Sequence, residues 1–397
     1  MFKRHPLIQL FFLSTFGILF LMLVMMWREG NPEWKPYQVA YYRLLAEKSN
    51  NPKLARTPLE VKQVYLPEFG RTDRCTTCHL GTDNPKMKDA AQPFRTHPDI
   101  LKDHSIEIGC TICHAGQGWA LTKDDAHGHV KHWEEPMLSK EMVVSTCTAC
   151  HGNIDSLKGA ERLVSAKQLF DEMGCIGCHA LKGWGGPVST DLSLVAEKAL
   201  SEFDFRYVDG AHTAYNWVYE HNKDPQRVTP GDTSHGVPPS AMPNYQMTDQ
   251  EAIDLTALVL SFGEKKVPAK LTIPGTQKPT PTYSSAVEAG RAVYQKYGCV
   301  ACHGFEGRGG IKNHNAATGG EVPPLVYVRE GFTHEQLKVL IEEGRYPTKA
   351  DPQGPTPPLW MPTWRDKISS EEMDQLVEYL MSLTPPAETS EEAGSDV

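Results

Sequence analysis

The sequence predicts a mainly α-helical protein with one N-terminal transmembrane helix, a middle module with little regular structure, and two helical domains in tandem. Three observations predict this. Residues Leu7 to Trp27 carry no charge; all ten cysteines fall in five C-x-x-C-H strings; and two stretches of the C-terminal half repeat each other and lead into capped amphipathic helices. The 397 residues are 40% hydrophobic and 22% charged, the composition of a folded chain of about two to four domains. The formal net charge of -9 has the wrong sign for wrapping nucleic acid through phosphate contacts, so no nucleic-acid partner is expected.

The run LIQLFFLSTFGILFLMLVMMW is long enough for a helix rising 1.5 Å per residue to cross a hydrocarbon core of about 30 Å. A cleaved signal peptide would have a shorter apolar region ending in a small-x-small site, whereas Met25-Met26-Trp27-Arg28 follows here, so a retained anchor is expected. Lys3 and Arg4 precede the span and Arg28 is followed by Glu29. The positive-inside bias therefore leaves residues 1–28 as a cytoplasmic tip and anchor and sends the rest outward. The expected location is the inner (cytoplasmic) membrane, single-pass, with everything after Arg28 periplasmic or exterior. Residues 29–68 read as a juxtamembrane segment, in which Glu33 to Lys48 is an amphipathic helix with Tyr37, Ala40, Tyr41, Leu44 and Leu45 on one face. That face docks either on a membrane partner or on the module behind it.

The five strings are CTTCH (Cys75, Cys78, His79), CTICH (Cys110, Cys113, His114), CTACH (Cys147, Cys150, His151), CIGCH (Cys175, Cys178, His179) and CVACH (Cys299, Cys302, His303). Residues three apart on a helical turn face the same way, so both sulfurs can meet the two vinyl groups of one haem, and the next residue brings an imidazole under the iron. Five haem c groups, attached through these ten cysteines and ligated first by these five histidines, are the expected cofactors. Thioether attachment normally takes place outside the cytoplasmic membrane, in agreement with the charge bias.

Three of the strings fall within residues 69–155, which leaves fewer than about 30 residues per haem, too few for a side-chain core around each. This trihaem module is expected to use porphyrin surface as its core. Its second axial ligands are expected among His97, His104 and His127, with His129, His132 and Met137 as further candidates. The sequence leaves open which of them serves which iron.

In the C-terminal half, LFDEMGCIGCHALKGWGG (Leu169 to Gly186) and VYQKYGCVACHGFEGRGG (Val293 to Gly310) align without a gap. Each copy later reaches a Met-Pro pair, Met242-Pro243 or Met361-Pro362, and then a capping box, Thr248 with Glu251 or Ser369 with Glu372. Two domains follow, 156–265 and 284–385, joined by a Pro- and Thr-rich linker at 266–283 and followed by an acidic tail at 386–397. The linker, about 60 Å long if fully extended as polyproline, is expected to let the last domain, or both, swing toward an acceptor.

Gly159 to Glu264 and Ser284 to Leu383 resemble class I cytochrome c domains. The resemblance implies that Met242 and Met361 are the second axial ligands there, and that a Pro carbonyl orients the first histidine, at Pro187 in one copy and at Pro323 or Pro324 in the other. His212, His221, His235, His314 and His334 are then solvent or packing residues. The N-terminal half, through its lone anchor, DRCTTCH and GCTICHAGQG, looks like the membrane-anchored multihaem cytochromes that accompany quinol-oxidising complexes. That likeness implies the cytochrome c subunit of a bc-type or alternative quinol:acceptor complex. Its partners would be membrane-embedded quinol-oxidising subunits (cytochrome b and Rieske protein, or equivalents) and a soluble or membrane electron acceptor. A free-standing anchored relay to a terminal oxidase or reductase is the alternative. A multihaem reductase or peroxidase would need an open iron site, and the supply of candidate ligands argues against a catalytic site in this chain.

Overall fold

The computed structural model describes residues 6–100, 104, 108–131, 133, 135–155, 157–235, 237–264, 267–268, 271–273 and 281–385. His132, the Lys3 and Arg4 tip, much of the linker and the acidic tail lie outside the described residues. The chain divides into two compact units, 1–146 and 147–397.

The first unit opens with α1 (Pro6–Gly30), whose 25 residues are all exposed. Among the described residues it is the one helix long and apolar enough to cross a membrane, with a mean hydropathy of 2.4 over its most apolar window. Asn31 to Glu33 interrupt it, and α2 (Trp34–Lys48) follows. Trp34, Gln38, Tyr41, Tyr42 and Ala46 form the buried face of α2, while Ala40 is exposed and Tyr37 is half-buried. The expected face is thus corrected by a rotation toward Gln38. The cause is a polar anchor: Gln38 donates to the carbonyls of Glu60 (2.6 Å) and Thr77 (3.0 Å) and accepts from the Glu60 N–H. Thr77 lies inside the first C-x-x-C-H string, so α2 docks on the segment that carries that string. Tyr41 and Tyr42 join Leu80, Met87 and Ala90 in a small cluster, with Leu44, Leu45 and Phe94 packed against it. Beyond this, among the described residues of the unit, there is one antiparallel pair, β1 (Val64–Leu66) with β2 (Arg71–Asp73), and a series of short helical turns.

In the second unit the repeat becomes two helical domains. The first packs α3 (Glu161–Glu172) and α4 (Ala214–Lys223) against α5 (Asp249–Val259); the second packs α6 (Ala286–Lys296) and α7 (His334–Glu343) against α8 (Ser370–Ser382). Both expected capping boxes are formed, Thr248 with Glu251 at α5 and Ser369 with Glu372 at α8. The α6 to α8 crossing is close because Gly290 has no side chain. A Cβ there would be driven into the Gln375 carbonyl and lie 2.7 Å from Tyr379 Cβ. The equivalent residue of the first copy, Ala166, is 1% exposed. Gly290→Val is therefore expected to destabilise the last domain by about 3 kcal/mol through overpacking against backbone, read as a lower thermal midpoint and earlier proteolysis of residues 284–385.

Candidate haem sites

All five C-x-x-C-H strings fold into the same turn. The N–H of the second cysteine meets the carbonyl of the first at 3.2 to 3.3 Å, and the histidine N–H meets that same carbonyl at 2.9 to 3.0 Å. All ten cysteines are half-buried, and none of them forms a disulfide. Each turn thus presents two thiols and an imidazole on one side, the donor set that covalent haem attachment requires. These residues fit the cofactor that the sequence implies.

In the first unit one buried carboxylate ties two strings together. Asp73, 2% exposed, accepts the N–H of Cys75 through Oδ1 (3.0 Å) and the N–H groups of Cys110 (2.7 Å) and Thr111 (2.8 Å) through Oδ2. The ligand atoms of Asp73, Cys75 and Cys110 lie within 4.8 Å of one another, the one such cluster among the described residues. With three N–H groups already on its oxygens, Asp73 is a structural clamp. The sequence reading missed it, although an aspartate two residues ahead of a backbone N–H is a recognised turn signal.

The histidines of this unit sort into facing pairs. His79 and His127 have ring centroids 6.3 Å apart, and His114 and His97 have theirs 6.0 Å apart. Two imidazoles on opposite sides of one metal ion, each bonded at about 2 Å through nitrogen, place their centroids about 6 Å apart. Burial, and then the charge of neighbouring imidazoles, lowers the pKa of His79 and of His114, which favours the neutral rings that metal ligation needs. His79 also has the Pro93 carbonyl as hydrogen-bond partner. His127 and His129 are 6.1 Å apart as well, but they are two residues apart on one turn and neither follows a C-x-x-C string. His104 Nδ1 donates to the Ile100 carbonyl (2.9 Å), and the Met137 side chain is exposed.

In the second unit the third string, Cys147 to His151, is flanked by a residue of the linker: the Ile273 N–H donates to the Cys150 carbonyl (2.7 Å), and the Gly152 N–H donates to the Ile273 carbonyl (2.9 Å). His179 Nδ1 donates to the Thr190 carbonyl (2.7 Å), which corrects the expectation of Pro187; the loop continues three residues past that proline before it turns back. In the second copy His303 Nδ1 donates to the Pro323 carbonyl (3.2 Å), choosing between the two expected prolines. Either bond fixes the ring and leaves Nε2 for iron. Burial raises the Cys175 and Cys299 thiols to about 12, so both stand as neutral thiols.

Met242 and Met361 are both half-buried, and Met361 packs against the last domain's core, its backbone paired with Arg345. Of the remaining histidines, His212 stacks on Phe205 (4.8 Å), His235 pairs with Asp232 (2.7 Å), His334 faces Glu378 (3.4 Å) and His314 is exposed. His221 stacks on Trp217 (4.8 Å) with its Nδ1 buried and without a hydrogen-bond partner, and burial, then the nearby His179, lowers its pKa to about 4.

Compared with known proteins, the chain matches one family model, described as Cytochrome c, at residues 163–262 and again at 287–384. No curated protein and no solved structure matches it.

Proposed function

Its two cytochrome c domains make this chain a haem-binding electron-transfer protein, a c-type cytochrome, and from that premise we propose that it carries five haem c groups and relays electrons from a membrane quinol-oxidising partner to a periplasmic acceptor. The observation that carries the count of five is the shared turn geometry: the three strings outside the matched domains fold as the two inside them do. Each haem iron supplies reversible one-electron chemistry; the chain's own residues set where and at what potential.

In this reading His79 and His127 ligate haem 1, and His114 and His97 ligate haem 2. The ligands interleave: His97, paired with His114, lies between the two strings, and His127, paired with His79, lies beyond the second. His151, in the second unit, would hold haem 3. Met242 would hold haem 4 together with His179, and Met361 would hold haem 5 together with His303. Thioether sulfur favours the ferrous state more than a second imidazole does, so haems 4 and 5 are the high-potential end and the bis-histidine haems near the anchor the low-potential end. The exposed apolar α1 is compatible with a single-pass anchor at the donor's membrane.

Purification in mild detergent from native membranes tests this, with mass spectrometry of co-purifying chains and quinol as reductant. Stoichiometric quinol-site subunits and quinol-driven haem reduction are expected. A lone chain that quinol cannot reduce would make it an anchored relay instead. Replacing Met361 with histidine is expected to remove the near-infrared sulfur-to-iron charge-transfer band of one oxidised haem and to lower its potential. An unchanged band would rule Met361 out.

A further inference from the structure

The two haem strings of the C-terminal half lie against each other. Cys178 Sγ and Cys302 Sγ are 3.8 Å apart. Around them the backbones touch through glycines: a Cβ on Gly177 would be driven into the Gly298 carbonyl, one on Gly298 into the Gly177 N–H, and one on Gly174 would lie 2.9 Å from the Ala301 nitrogen. Under the gapless alignment of the two copies, Gly174 corresponds to Gly298, Gly177 to Ala301 and Cys178 to Cys302. The contacts therefore exchange in pairs while the Cys178 to Cys302 contact maps onto itself, the signature of an isologous interface with a pseudo-two-fold axis through the two sulfurs. Lys367 Nζ donates to the Gly185 carbonyl, and Lys296 Nζ lies 6.0 Å from the Trp184 ring centre, so side chains of the last domain also grip the loop after the fourth string.

From this geometry we propose that haems 4 and 5 form one rigid pair whose electron passage runs through the abutting thioether sulfurs of Cys178 and Cys302. The inference rests on haem attachment at both strings, as proposed above. The step is a one-electron exchange: the donor iron goes from ferrous to ferric as the acceptor goes from ferric to ferrous, and no bond or proton moves. Electron transfer decays steeply with the gap between cofactor edges, and two sulfurs 3.8 Å apart, each bonded to its own macrocycle, would bring those edges close to each other. The first unit repeats the device, with Cys75 and Cys110 sulfurs within 4.8 Å, clamped by Asp73. The linker then acts as a connection between docked domains, not as the pivot of a swinging one.

The test uses the full chain in detergent, with a protease site placed within residues 274–280 and with Gly177→Leu as the probe of the contact. Gly177 sits in an ordinary right-handed turn, so only the partner backbone forbids a side chain there, and the equivalent Ala301 already carries a Cβ. After cleavage, residues 281–397 are expected to stay with the membrane-bound part. Redox titration should show haems 4 and 5 interacting, the oxidation of one shifting the potential of the other, with mutual broadening of their ferric EPR signals. In Gly177→Leu both signs of interaction should be lost, with all haems still attached. Release of the C-terminal fragment on cleavage would overturn the rigid pair. Retention with independent, unbroadened haems would overturn the sulfur contact as the route. Intact mass on the same samples counts haems, so a missing haem 4 or 5 would overturn the attachment reading and this inference with it, whereas five attached but uncoupled haems overturn this inference alone. If Gly177→Leu does not fold, cleavage and titration of the otherwise unaltered chain still decide.

Discussion

Asp73→Ala is expected to destabilise the first unit by about 3 to 5 kcal/mol, the range for removing one partner from a buried charged hydrogen-bond set. The mature protein should then lack haems 1 and 2. The carboxylate is 2% exposed and accepts three backbone N–H groups, one from the first C-x-x-C-H turn and two from the second. Alanine leaves all three donors without their acceptor, and the tie between the two turns then rests on Arg74, whose N–H meets the Gly118 carbonyl (2.8 Å) and whose guanidinium meets the Trp119 carbonyl (2.9 Å). Asp73→Asn is expected to fall between, because its amide keeps one acceptor oxygen and turns the other position into a donor facing N–H groups. Intact mass reads the number of attached haems, and thermal unfolding reads the stability. If Asp73→Ala kept five haems and an unchanged midpoint, the clamp would have no energetic role.

The second large effect concerns ligand pairing. His127→Ala is expected to turn one of the low-spin haems high-spin and able to bind carbon monoxide when reduced, and His97→Ala to do the same to a different haem. The ring distances assign the first to the haem of Cys75 and Cys78 and the second to that of Cys110 and Cys113. Removing haem 1 by Cys75→Ala with Cys78→Ala decides it. In that background His127→Ala should open no further site, while His97→Ala still should. The reverse outcome would mean that each haem takes the histidine nearest along the chain.

Much of the candidate site was legible because its chemistry is local in sequence. A C-x-x-C-H string specifies two sulfurs and an imidazole on one turn wherever it occurs, and all five adopt that turn. The capping boxes were legible for the same reason, since Thr248 with Glu251 and Ser369 with Glu372 are three residues apart. The α2 face was misjudged by about one position because hydrophobic periodicity gives no weight to a glutamine. Gln38 is 0% exposed, its amide meeting backbone groups of Glu60 and Thr77 that lie far along the chain. Thr190 in place of Pro187 was missed because the length of a loop is not set by where its proline falls.

The sequence by itself determined the five C-x-x-C-H turns, the apolar N-terminal helix and the helix caps, all fixed by residues close along the chain, and the tandem repeat, legible as two copies of one local pattern. Only the tertiary structure decided which histidines face each other, which carboxylate joins two strings and where two copies of one domain touch. Those relations link residues tens to more than a hundred positions apart, such as Cys178 with Cys302, and are set by backbone shape, burial and hydrogen bonding that no local pattern encodes.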